Sequence, residues 1–215
     1  MKNYNIIAWD FNGTLLDDVQ IGIESINVLL SKRGLKTINT REEYKNSFRF
    51  PIIEWYKSLG FDFTKEDYEI VAHEWVAEYL KREPNAPLCE GVVELLDHFK
   101  MSGKRQVIIS ASESSMLNRQ LSSLGIASYF EAVVGKNDVF AGGKTEIAKL
   151  WREKNSGTVL FIGDTDHDLE TARAIGADCV LVSAGHQAFD RLKTLSSNES
   201  IKLSVVNTLF DIVGL

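Results

Sequence analysis

The 215-residue sequence predicts an α/β fold, in which a Rossmann-like parallel sheet forms the core and carries an inserted α-helical cap domain. Short apolar runs alternate with helix-length amphipathic segments, which is typical of a parallel sheet with right-handed crossovers. Most of the apolar runs are continuous, as expected for strands buried on both faces. One long stretch, residues 18–86, interrupts this alternation because it contains helix-like segments and no convincing strand.

The apolar runs predict six strands, at residues 5–9, 106–110, 132–134, 158–162, 179–182 and 202–206. Helical periodicity follows several of them and predicts helices at residues 90–102, 114–124, 143–154 and 168–176. Within the interrupting stretch, residues 21–31, 52–59 and 65–82 also read as helices, and Pro84 and Pro87 mark its end. We therefore assign residues 1–17 and 87–215 to the core and residues 18–86 to the cap.

The composition excludes several classes of partner. With 24 basic and 30 acidic residues, the formal net charge is −6, which argues against nucleic acid and against an anionic membrane surface. No segment reaches the roughly 18 apolar residues of a membrane span, and no long apolar leader precedes the first strand. Cys89 and Cys179 lie too far apart to suggest a disulfide framework. We expect a cytoplasmic monomer or homodimer.

Polar residues that could bind a ligand or take part in catalysis follow or end the predicted strands. Ligands of open parallel sheets bind outside the carboxyl ends of the strands. Asp10 follows the first strand, Ser110 ends the second, and Asp164 follows the run at residues 158–162. Lys144 begins a predicted helix, so one sheet edge should collect a carboxylate, a hydroxyl, an amine and a second acidic cluster. Each residue alone has an ordinary explanation as a turn, cap or surface residue.

Together these segments resemble the four motifs of the haloacid dehalogenase superfamily, and of its phosphatases above all. The family pattern is an Asp-x-Asp-Gly-Thr strand end, a Ser or Thr strand end, a Lys, and a Gly-Asp-x-x-x-Asp. The helical insertion sits where the phosphoglycolate phosphatase and β-phosphoglucomutase branch carries its cap. The four motifs, in order, read Asp10-Phe11-Asn12-Gly13-Thr14, Ile109-Ser110-Ala111-Ser112, Gly143-Lys144-Thr145 and Gly163-Asp164-Thr165-Asp166-His167-Asp168.

The resemblance implies Mg²⁺-dependent hydrolysis of a small phosphorylated metabolite, with Asp10 as the nucleophile that forms an aspartyl-phosphate. Lys144 would neutralise charge on Asp10 and on the transferring phosphoryl group. Mg²⁺ prefers oxygen ligands. The implied metal ligands are Asp10, the backbone carbonyl of Asn12, Asp164 and, directly or through another ligand, Asp168. The implied contacts to the phosphoryl oxygens come from Ser110 and from backbone N–H groups near Gly13, Thr14 and Ala111.

Asn12 departs from this pattern, because phosphatases of the family carry there a second Asp that serves as general acid and base. A neutral amide cannot exchange a proton near pH 7, and general acid–base catalysis is typically worth about 10²–10⁴-fold. The chain therefore hydrolyses slowly, uses another acid, or takes a substrate that needs none. Two alternatives stay open: a phosphate-ligand-binding member with weak or no activity, and a phosphonate-cleaving hydrolase that uses a cap lysine.

Within the cap, the segment Phe48-Arg49-Phe50-Pro51 is the candidate for substrate selection. Arg49 could grip a second anionic group of the substrate through two hydrogen bonds. It could equally cover apolar surface with its stem. The aromatic residues Trp55, Trp75 and Tyr79 have spacings that favour a place in the cap core over contact with substrate.

Overall fold

A six-stranded parallel sheet forms the centre of the computed structural model, which describes residues 4–136, 143–195 and 201–214. The strand order is β3-β2-β1-β4-β5-β6, and every neighbouring pair is parallel. This confirms the predicted fold class and all six predicted strands. The strands are β1 (Ile6–Trp9), β2 (Arg105–Glu113), β3 (Ala132–Lys136), β4 (Val159–Gly163), β5 (Asp178–Val182) and β6 (Leu203–Val206).

Helices cover both faces of the sheet and fill the insertion between β1 and β2. The insertion contains α1 (Val19–Lys32), α2 (Arg41–Ser47), α3 (Ile52–Ser58) and α4 (Tyr68–Arg82). The later helices are α5 (Val92–Met101), α6 (Ser114–Ser123), α7 (Lys144–Glu153), α8 (Asp166–Ala174) and α9 (Phe189–Lys193). The sequence did not predict α9, because five residues are less than two helical turns and show no measurable periodicity.

Successive residues of β1 point to opposite faces of the sheet and enter two separate cores. Ile7 and Trp9 belong to the cluster that includes residues of α5 and α6, whereas Ile6 and Ala8 belong to the cluster that includes residues of α7 and α8. All four side chains are fully buried. A strand buried on both faces needs a continuous apolar run, which explains why the run in the sequence does not alternate.

The inserted helices build a third core of their own. Its buried members come from all four helices and from the segments between them, and several are aromatic, including Tyr44, Phe48, Trp55 and Tyr56. The two segments that join the insertion to the sheet lie side by side: the Asp17 N–H donates to the Pro87 carbonyl over 2.9 Å. The domain boundaries at residues 17–18 and 86–87 remain a prediction.

The strand order brings the carboxyl ends of β2, β1, β4 and β5 together at one edge. Trp9 pairs in register with Ile108 of β2 and with Ile162 of β4, so the residues after these positions emerge at the same level. This edge faces the inserted helices. Within the described part of the chain, none of the helices is both long and apolar enough to cross a membrane.

Candidate active site

Asp10 occupies the end of β1, where its N–H donates to the Ile162 carbonyl over 2.8 Å. The chain then turns sharply through Gly13, whose φ of 74° lies in the left-handed region. A Cβ at Gly13 would lie 2.4 Å from the Asp164 carboxylate, so only glycine lets the turn approach β4 this closely. The next residue, Thr14, donates from its hydroxyl to Asp164 Oδ1 over 3.1 Å.

Lys144 joins two of the predicted acidic residues. It is the first residue of α7, it is almost fully buried, and its Nζ lies 2.5 Å from Asp10 Oδ1. The same ammonium group contacts Asp168 Oδ1. Asp168 Oδ2 accepts hydrogen bonds from the backbone N–H groups of Asp164 and Thr165, over 3.1 and 2.9 Å. Both oxygens of Asp168 are therefore engaged, and this residue orients Lys144 and the turn after β4.

The three buried carboxyl groups of Asp10, Asp164 and Asp168 carry more negative charge than the nearby cationic side chains neutralise. Burial and the charge of Asp168 raise the pKa of Asp10 to about 6, although Lys144 opposes the shift. Burial also raises the pKa of Asp164 to about 8, against the lowering effect of His186. One oxygen each from Asp10, Asp164 and Asp168 lies within 4.8 Å of the others. A buried, undercompensated set of carboxylate oxygens fits a divalent cation that prefers oxygen ligands.

The side chain of Asn12 is held by hydrogen bonds on all sides. Its Nδ2 donates to Asp18 Oδ2 over 2.9 Å and to the Tyr79 hydroxyl over 2.8 Å. Its Oδ1 accepts from the Ser112 hydroxyl over 3.0 Å. The amide is thus fixed between the sheet and α4, and both of its N–H groups donate to protein acceptors.

Asp18 and His186 form a buried pair that the sequence analysis missed. His186 Nε2 lies 3.1 Å from Asp18 Oδ1, and its Nδ1 lies 3.0 Å from the Tyr44 hydroxyl. Burial would lower the pKa of His186, but the charge of Asp18 raises it to about 9. Burial would raise the pKa of Asp18, yet the charge and hydrogen bond of His186 lower it overall.

His186 follows β5 by four residues. The expectation that ligands bind at the carboxyl ends of the strands, if applied to β5 as well, would have indicated it. Asp18 is harder to recognise, because its position before α1 suggests a helix N-cap. Its side chain makes no capping hydrogen bond and instead points into the site.

We expect the buried pair to stabilise the protein in a pH-dependent way. The pKa of His186 in the folded chain, about 9, lies above the ordinary 6.5, so its stabilisation is complete below pH 6.5 and is lost as the pH rises through 9. Urea unfolding with a chelator present should show the wild-type advantage over His186→Gln shrink by about 3 kcal/mol across this range. The exposed His98→Gln variant is the control, and an advantage that grows with pH would contradict the assignment.

A cavity of about 450 Å³ opens onto the carboxylates. Asp10, Ser110, Ala111, Lys144 and Asp164 line one end. Cap residues line the rest, including three aromatic residues that the sequence analysis assigned to the cap core, namely Trp55, Trp75 and Tyr79. These residues pack in the apolar clusters and also face the cavity.

The structure separates Arg49 from the other candidate residues. Its neighbours Phe48 and Phe50 line the cavity, but Arg49 itself is exposed and is not among the described residues that line it. Gly13 and Thr14 lie behind Asp10, against Asp164, and do not line the cavity either. Ser110 was predicted to end its strand, but it is buried within β2, three residues before the strand ends at Glu113. Its hydroxyl accepts from the Ser112 N–H over 3.1 Å.

The fold and this cluster define a hydrolase with a Rossmann-like core and an aspartate at the end of its first strand. Residues 7–182 match the model of the family described as haloacid dehalogenase-like hydrolase. The chain belongs to that family, as its motifs indicated.

Known proteins similar to the chain carry more than one activity in their names. The chain is 25% identical over 189 residues to phosphoglycolate phosphatase of Caulobacter vibrioides, a match covering 84% of this chain and 79% of the relative. It is 23% identical to tyrosine-protein kinase PtkA of Mycobacterium tuberculosis, over 97% of this chain and 72% of the relative. A haloacid dehalogenase-like hydrolase of Streptococcus pneumoniae superposes with a TM-score of 0.78 at 17% identity, covering 100% and 99% of the two chains, and so shares the fold.

Proposed function

We propose that the protein is a phosphatase that hydrolyses a small phosphorylated metabolite through an aspartyl-phosphate on Asp10. The observation that carries this proposal is the contact of Asp10 with Lys144, beside Asp164, at the carboxyl end of β1. A buried carboxylate against a fixed ammonium group can attack a phosphoryl group while the charge that develops is neutralised. The phosphatase names among the relatives support the same chemistry.

In the proposed reaction, an oxygen of Asp10 attacks phosphorus and the bond from phosphorus to the ester oxygen breaks. Ser110 and the backbone N–H group of Ala111 would hold the phosphoryl oxygens. Water then attacks the aspartyl-phosphate, which releases inorganic phosphate and restores Asp10. Lys144 stays paired with Asp168 throughout, so its ammonium group remains aimed at the reacting oxygens.

Mg²⁺ is the proposed cofactor, and Asp10, Asp164 and the backbone carbonyl of Asn12 would hold it. When bound, it would supply positive charge to the phosphoryl oxygens and offset repulsion between the substrate and the carboxylates. Asp168 would act on this site through Lys144 and the turn at residues 164–165, since both of its oxygens are already engaged.

The phosphonate alternative lacks its required amine. Cleavage through a Schiff base needs a cap lysine in the cavity, and none of the described residues that line it is a lysine except Lys144. Lys45, whose pKa is lowered by burial and by nearby Arg41, donates to the Ser183 carbonyl.

The direct test is the release of phosphate from p-nitrophenyl phosphate by metal-free protein, before and after Mg²⁺ is added. Turnover that depends on Mg²⁺ supports the proposal. Binding of a phosphate analogue such as beryllium fluoride without any turnover would instead favour a ligand-binding protein, which is the alternative that Asn12 raises.

We expect Asn12→Asp alone not to raise the rate of turnover. Asn12 Nδ2 now donates to Asp18 Oδ2 over 2.9 Å, and a carboxylate at position 12 would instead be repelled by the carboxylate of Asp18. The double variant Asn12→Asp/Asp18→Asn moves the negative charge from position 18 to position 12. An amide N–H at position 18 would then donate to the carboxylate at position 12. Turnover of benzyl phosphate, whose leaving group needs a proton, should then rise at least about 10²-fold over the wild type. The measurement is kcat for that substrate.

Asp17→Asn combined with Asn12→Asp is the matched control. Asp17 carries the same charge one residue earlier but pairs with Arg41 at 2.9 Å, away from Asn12. A tenfold or greater gain from Asn12→Asp alone would contradict the repulsion argument.

A further inference from the structure

The cavity beyond the carboxylates has an apolar and largely aromatic wall. Phe50, Trp75 and Tyr68 contribute rings, and Val76 and Leu80 add aliphatic surface from the next turns of α4. At about 450 Å³, the cavity is within the size range of small-molecule sites. A leaving group attached to phosphate at Asp10 would extend into this apolar space.

Each cationic or potentially cationic side chain among the described residues that line the cavity already has an acidic partner. Lys144 lies between Asp10 and Asp168, and His186 pairs with Asp18. His167 Nδ1 lies 3.1 Å from Glu170 Oε2. A second anionic group on the substrate would therefore be desolvated here without a counter-charge, which is unfavourable.

Asn12 supplies an independent argument about the leaving group. Both of its N–H bonds point at protein acceptors, and an amide has no proton to give near pH 7. The residue at position 12 therefore gives the departing ester oxygen no proton, which favours a leaving group that is stable as an anion. A phenolate is a far more stable anion than an alkoxide, because its charge is delocalised into the ring.

We propose that the substrate is an aryl phosphate, a phosphate monoester of an uncharged phenol, whose ring packs against the aromatic wall of the cavity. This inference rests on the proposed phosphatase function and names its substrate class. Offset or edge-to-face packing of the substrate ring on the wall would supply binding energy without a second charge.

The chemical step balances without a general acid. The bond between phosphorus and an oxygen of Asp10 forms as the bond between phosphorus and the aryl oxygen breaks. The phenolate keeps the electron pair and takes its proton from solvent. Water then cleaves the aspartyl-phosphate and yields phosphate and a proton.

Five small phosphate compounds and one phosphotyrosyl peptide test the proposal by their kcat/KM with Mg²⁺. Phenyl phosphate should exceed phosphoglycolate at least about 10²-fold, since its ring would be buried against the apolar wall and the amide at position 12 disfavours alkoxide departure. Benzyl phosphate keeps the ring but has a poor leaving group, and 4-carboxyphenyl phosphate keeps the leaving group but adds a charge. Both should fall at least tenfold below phenyl phosphate.

Acetyl phosphate separates failure of this inference from failure of the proposed function. It has no ring, and its leaving group needs no acid. If acetyl phosphate is hydrolysed while phosphoglycolate matches or exceeds phenyl phosphate, the aryl assignment is overturned and the phosphatase stands. If no substrate is hydrolysed, both are overturned. Faster cleavage of a phosphotyrosyl peptide than of phenyl phosphate would overturn the assignment to a small molecule.

Val76→Lys tests the apolar wall itself. Val76 lines the cavity but is 44% exposed, so the variant should fold. It should lower kcat/KM for phenyl phosphate about tenfold. It should also raise the ratio of kcat/KM for 4-carboxyphenyl phosphate to kcat/KM for phenyl phosphate, because the lysine would pair with the added carboxylate. Ile70→Lys places the same charge on an exposed position of α4 that is not among the cavity residues, and should leave both values within about twofold. Equal effects of the two variants would refute the role of the wall.

Discussion

Asp10→Asn is expected to abolish turnover, with a fall in kcat on the order of 10⁴-fold or more, because an amide oxygen cannot serve as the nucleophile. The same variant should be more stable than the wild type near neutral pH in the absence of metal. The folded-state pKa of Asp10, about 6, lies above the ordinary 3.8, so ionised Asp10 opposes folding above that range. Its removal should raise the free energy of unfolding by about 3 kcal/mol.

This combination of lost activity and gained stability distinguishes a nucleophile from a merely structural aspartate. The measurements are phosphate release with Mg²⁺ and urea unfolding with a chelator. Asp97→Asn, an exposed aspartate whose Oδ1 accepts from the Tyr129 hydroxyl over 2.8 Å, is the control and should change neither kcat nor metal response. Residual turnover above a tenth of the wild-type rate would remove Asp10 from the proposed role.

Lys144→Met should destabilise the fold by about 3–5 kcal/mol in the absence of metal, since it leaves two buried carboxylates without their cation. Methionine has a similar length and shape, so the change removes charge more than volume. Added Mg²⁺ should recover part of the loss, because an ion that binds only the folded chain stabilises it. Turnover should still fall about 10²–10³-fold, as positive charge at the transferring phosphoryl group is lost.

Lys149→Met is the matched control on the same helix. Lys149 pairs with Glu146 at the surface over 2.8 Å, and loss of such a pair is worth less than about 1 kcal/mol. Urea unfolding of the three proteins, with and without Mg²⁺, measures the difference. Equal destabilisation by the two variants would show that the buried cluster does not depend on Lys144.

The strand ends account for most of the predicted cluster. Asp10, Lys144, Asp164 and Asp168 meet as the motif order indicated, because parallel strands in neighbouring positions deliver their following residues to one edge. The roles of these residues as nucleophile, counter-charge and metal ligands remain proposals. Arg49 fails to join them because no local pattern tells whether a side chain in a connecting segment turns toward a cavity or toward solvent.

The contacts of Asp18, which holds Asn12 in place, lie beyond the reach of sequence reasoning. Asp18 precedes α1, Tyr79 belongs to α4, and His186 follows β5, so the chain separates these residues by 61 to 168 positions. Only the packing of α1 and α4 over the sheet edge brings them within hydrogen-bond distance. Their burial then sets the pKa values, since desolvation and neighbouring charge depend on the assembled site.

The amino-acid sequence by itself determined the sheet, the helical insertion and the residues at the strand ends, because hydrophobic periodicity and motif order are local properties of the chain. It also determined that the side chain at position 12 cannot act as a general acid or base near pH 7. The tertiary structure alone decided what that residue contacts and what lies opposite the nucleophile. An amide held by Asp18 and Tyr79, and a cavity walled by rings of the cap, arise from contacts between distant segments, which no local pattern encodes.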